Sequence, residues 1–89
     1  MSSSEQERAI GRRVTVARRA AHLEASVVVA AFRRYGIASD EGQLYDLERG
    51  VADASSASSK ADPRVLEVIS RLTGFDVGWL MSGVRGGPT

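Results

Sequence analysis

Four glycines, Gly36, Gly50, Gly74 and Gly83, each follow a short stretch whose apolar residues recur every three or four positions. Glycine enters the left-handed backbone that ends a helix without strain, so this punctuation reads as a series of helix stops. The starts are marked too. Ser4 and Glu7 have the spacing of a capping box, which predicts a first helix from about Glu5. Ser26 precedes the second run, Ser39 or Asp40 the third with Gln43 reaching back, Asp62-Pro63 the fourth and Asp76 the last. Ile10, Val14, Ala17 and Ala21 form one stripe on the first helix, which His22 should end as a cap, with Leu23 as an apolar anchor.

The second run, Ser26 to Tyr35, opens with three β-branched valines. Ala30 to Arg34 extend it past the length of a usual strand, which favours helix. Leu44, Leu47 and Val51 give the third helix its buried side. Val65, Leu66, Ile69 and Leu72 do so for the fourth, and Val77, Trp79, Leu80 and Met81 belong to a short fifth. The pattern predicts a compact all-α domain of five helices spanning residues 1–89. Residues 52–61 lack an apolar period and read as a mobile loop, with 1–4 and 84–89 as flexible ends.

Eighty-nine residues allow one modest core and no second domain. The absence of Cys excludes disulfides and thiolate metal sites, and a single His excludes a multi-histidine site. No glycine-rich phosphate loop, nucleophilic triad or paired-carboxylate site is evident, so neither an enzyme nor a cofactor is expected. The longest apolar run, Val27 to Phe32, is too short to span a bilayer, and no signal-peptide pattern opens the chain. A cytoplasmic location is expected.

A net charge of +1 conceals an uneven layout. Residues 1–39 carry +4, residues 40–62 carry −4 and residues 63–89 carry +1. A basic first half beside an acidic middle bears directly on the choice of partner.

Three segments carry a resemblance: Ile10-Gly11-Arg12-Arg13-Val14 with Arg18-Arg19, then Tyr35-Gly36-Ile37 followed by Leu44-Tyr45-Asp46-Leu47-Glu48-Arg49-Gly50, and Leu72 to Gly83 containing Trp79-Leu80-Met81. Over residues 8–83 the chain resembles the lambda-repressor-like, Xre-type helix-turn-helix family of phage and prophage regulators. The resemblance implies a recognition helix ending at Gly50 and an ion pair between Arg18 and Glu48. It also implies a last helix that contributes Trp79, Leu80 and Met81 to a dimer. The alternative for Glu48 is a solvated side chain.

Two departures stand out. The interval from Gly36 to Gly50 is two residues longer than the family's usual spacing. From Ser39 to Gly50 the net charge is −3, where phosphates would require the opposite sign. The resemblance puts Glu41, Gly42, Gln43 and Asp46 at the base-probing positions, and the residues assigned to DNA contact are Ser39, Glu41, Gly42, Gln43, Tyr45, Asp46, Arg49 and Lys60. Arg12, Arg13, Arg33 and Arg34 are further phosphate candidates, unless they form a solvated helix face. Two functions follow as expectations. One is a repressor- or Cro-like regulator that binds operator DNA as a homodimer. The other is a protein-interaction module that docks on a host or phage protein through its acidic third helix.

Overall fold

A computed structural model describes residues 3–50 and 62–83, with side chains from residue 5. Five helices follow in order: α1 (Ser3–Ala20), α2 (Ala25–Arg34), α3 (Glu41–Arg49), α4 (Pro63–Thr73) and α5 (Val77–Ser82). The predicted loop 52–61, the ends 1–2 and 84–89, Val51 and Lys60 lie outside the described residues.

Most helix signals act as their chemistry requires. Asp40 accepts from the Gln43 amide at 2.8 Å while Gln43 Oε1 accepts from the Asp40 amide at 3.1 Å, a complete capping box. Asp62 and Asp76 cap α4 and α5 through the amides of Arg64 and Trp79. Gly50, Gly74 and Gly83 end α3, α4 and α5 in the left-handed region. His22, at φ 57, supplies the same reversal after α1 without a glycine.

Two starts differ from expectation. α1 begins at Ser3, so Ser4 lies inside the helix rather than at its cap. α2 begins at Ala25 behind Glu24, and no side chain caps it. Ala25 is buried in the core, so packing sets that boundary one residue ahead of Ser26.

The core joins every helix. Val14, Val28, Phe32, Leu44, Leu47, Val65, Leu66, Ile69 and Leu80 are fully buried. Each such side chain contributes about 1.5–3 kcal/mol of transfer free energy. α1 packs against α3, α4 and α5, and α2 packs against α3 and α4. The crossing of α1 over α3 is unusually close. A Cβ at Gly11 would lie 2.5 Å from the carbonyl oxygens of Leu47 and Glu48. At Gly50, with φ +70, a Cβ would meet the Arg8 Cα at 2.5 Å. Glycine at these two positions lets the backbones of α1 and α3 touch.

Candidate nucleic-acid interface

The connection between α2 and α3 is held from both sides. Tyr35 caps α2, Gly36 reverses the chain at φ 79, and the Ile37 amide donates to the Phe32 carbonyl at 2.8 Å. Ile37 is buried. Arg33 Nε donates to the Ser39 carbonyl at 3.0 Å and draws the second half of the turn toward α2. The widened spacing therefore appears as a six-residue connection, 35–40, ahead of a helix that begins at Glu41.

Arg18 fixes α3 to α1. Its Nε and Nη2 donate to the two oxygens of Glu48 at 2.5 and 3.0 Å, and its Nη1 donates to the Leu23 carbonyl at 3.1 Å. Both side chains are largely buried, at 13 % and 9 % exposed. The Glu48 hydrogen bond raises the Arg18 guanidinium above the usual arginine range; burial opposes this and the Glu48 charge adds to it. The sign follows directly. On the alkaline side the tie is lost only as pH rises through the folded arginine value, which lies above the unfolded one, so neutral and mildly alkaline solutions leave it intact. A solvated Glu48 is excluded.

With Leu44 and Leu47 inward, α3 turns Glu41, Gly42, Tyr45 and Arg49 outward, with Gln43 and Asp46 half-buried. The assigned contact residues separate into groups. Ser39 is 7 % exposed and serves the turn, so its burial takes it away from the outer face. Gln43 is held by the cap. Asp46 accepts from Arg49 Nη2 at 2.6 Å, within the same helix. Glu41, Gly42 and Tyr45 remain on the open surface.

The arginines divide in the same way. Arg13 Nη1 donates to the Leu80 and Met81 carbonyls, both at 3.2 Å, and closes the C-terminal end of α5. Arg33 holds the turn. Arg71 pairs with Glu67 at 3.0 Å and lies 6.0 Å from the centre of the Tyr35 ring. Arg12, Arg19 and Arg34 are exposed, and no acid among the described residues forms an ion pair with them.

Arg19 is the residue that sequence reasoning passed over. It lines an open groove of about 700 Å³ between α1 and α3, together with Thr15, Asp40, Gln43, Tyr45, Asp46 and Arg49. The signal was present in the spacing. Gly11, Thr15 and Arg19 lie four residues apart, so the row that touches α3 at Gly11 continues to Arg19.

At α5, Leu80 is fully buried within its own chain and has no surface to share with a second copy. Trp79 is half-buried and packs on Phe75 with ring centres 5.0 Å apart. Met81 is 38 % exposed beside a cleft of about 400 Å³ formed with Glu5, Gln6, Ala9 and Arg13 of α1. No described helix is long and apolar enough to cross a membrane.

Comparison of the chain with family models, curated proteins and solved structures finds no match.

Proposed function

We propose that this chain is a transcriptional regulator of the phage or prophage type, lambda-repressor-like in fold, that binds operator DNA as a dimer through α3. The observation that carries this reading is the bidentate tie of Arg18 to Glu48. It joins α1 and α3 at the two positions that the helix-turn-helix resemblance pairs. A directional pair of this kind holds a recognition helix at a fixed angle to its support, as major-groove entry requires.

The charge problem at α3 is smaller than the sequence implies. Arg18, which lies outside the segment, neutralises Glu48 and brings the −3 of residues 39–50 to −2. Arg19 is then available to phosphates beside the helix, and Arg12 and Arg34 are exposed on α1 and α2. The Asp46–Arg49 pair is exposed, at 34 % and 70 %, and such pairs are worth under about 1 kcal/mol. Arg49 therefore exchanges Asp46 for a phosphate at little cost. Of the three α5 residues that the resemblance assigns to a dimer, Trp79 and Met81 keep surface to offer a second subunit.

The test is a binding isotherm on random-sequence duplex at two salt concentrations. Micromolar binding that weakens with a log–log slope of about −0.9 per phosphate contact supports the reading. Undetectable binding at low salt overturns it. A second reading, a protein-interaction module, draws on one observation: Asp40 and Glu41 leave the start of α3 acidic, and neither forms an ion pair among the described residues. Under that reading, Glu41→Gln weakens capture of a basic partner surface and leaves DNA affinity negligible.

A further inference from the structure

We infer that Glu41 is the base-reading residue of α3 and that it selects a cytosine in each half-site; this rests on the DNA-binding reading above. The assignment comes from the way α3 uses its other polar side chains. Ser39 is buried in the turn, at 7 % exposed. Asp40 and Gln43 are engaged with each other's amides at the start of the helix, at 2.8 and 3.1 Å. Asp46 is half-buried beside Arg49, and Arg49, the last residue of the helix, takes a phosphate in the reading above. Gly42 has no side chain, and a Cβ there would press on Asp40 Oδ1 at 3.3 Å. Glu41 and Tyr45 remain, four residues apart and both exposed, Glu41 at the leading end of the helix and Tyr45 at its middle.

The chemistry of a carboxylate narrows the choice of base. An ionised carboxylate only accepts hydrogen bonds. On the major-groove edges, the donors are cytosine N4 and adenine N6. Adenine presents its N7 acceptor beside N6, and a carboxylate brought to N6 is repelled by N7. Cytosine has no acceptor of its own on that edge, so the carboxylate meets only the amine. Guanine and thymine offer acceptors, which exclude it. Glu41 thus turns an acid that weakens phosphate binding into a selector for one base. Tyr45, one turn on, lies beside it on the same exposed side.

Selection of a randomised duplex library at low salt, with wild type and with Glu41→Gln, tests the assignment. Glu41 is exposed, and matching helical circular dichroism spectra establish that both proteins are folded. The wild-type motif is expected to carry a fixed cytosine in each half-site, and replacing that cytosine should weaken binding about tenfold. Glu41→Gln is expected to move the preference at that position to adenine, whose N6 and N7 suit an amide, while the rest of the motif stays. A wild-type motif without a fixed cytosine overturns the assignment and leaves DNA binding standing. So does a cytosine that persists unchanged in Glu41→Gln. Failure of the wild type to enrich any duplex overturns the DNA-binding reading and the assignment with it.

Discussion

Arg18 reaches Glu48 across thirty positions of sequence and meets it with two parallel hydrogen bonds, while its third nitrogen holds the Leu23 carbonyl. One side chain thereby joins α1, the turn that follows it and α3. Because the pair is nearly buried, removing one partner leaves a charge with poor hydration. Arg18→Ala is expected to cost about 3 kcal/mol. The double change Arg18→Met with Glu48→Leu removes both charges and should recover most of that loss, since an apolar pair of similar size carries no desolvation penalty. Urea unfolding of the two variants separates the cases. A single variant as stable as wild type would mean that the pair contributes nothing to the join between helices.

Gly11 sits in the middle of α1, where helix propensity alone favours alanine by about 1 kcal/mol. The carbonyls of Leu47 and Glu48 reverse that preference, because a Cβ would approach them to 2.5 Å. Gly11→Ala should therefore destabilise the protein, by about 1–3 kcal/mol from overpacking. It should also disturb the α1–α3 groove that Arg19 lines. Thermal melting checks the sign. A higher melting temperature would show that the two helices can separate without loss.

How far the sequence is legible follows from the range of each interaction. The caps at Asp40, Asp62 and Asp76 and the glycine stops act within four residues of themselves, and local chemistry predicts them correctly. The Arg18–Glu48 register required the resemblance, since nothing in spacing alone pairs residues thirty apart. Arg13 at the end of α5 bridges 67 positions and carries no sequence mark. Ser39 reads as a helix-start or contact residue, yet Arg33 draws its carbonyl inward and buries it. Ser26 has the right chemistry for a cap, but burial of Ala25 moves the helix start ahead of it. Residues whose roles depend on tertiary packing are the ones that local pattern misplaces.

Gln43 distinguishes a base contact from a structural one. Its side chain completes the capping box with Asp40, so Gln43→Ala removes one of the two hydrogen bonds at the start of α3. A loss of about 0.5–1 kcal/mol is expected, with Asp40→Ala costing about 1 kcal/mol. Base preference should change little in Gln43→Ala, because the side chain is occupied. Denaturant unfolding and a selected-site comparison read the two effects separately. Unchanged stability together with altered base preference would return Gln43 to the DNA.

Arg19 and Asp46 face the same groove with opposite charge, and their replacement should move DNA binding in opposite directions. If Arg19 reaches a phosphate, Arg19→Ala removes one counterion-releasing contact and makes the log–log salt slope shallower by about 0.9. Asp46→Asn frees Arg49 from its 2.6 Å partner and removes a charge that repels the backbone. Nonspecific affinity should then rise, with the slope steepening by up to one contact. Neither change touches the core, so melting temperatures should stay within a few degrees of wild type. Anisotropy titrations of a labelled random duplex at several salt concentrations supply both slopes. An Arg19→Ala slope identical to wild type would place the phosphates away from the α1–α3 groove and direct attention to Arg12 and Arg34.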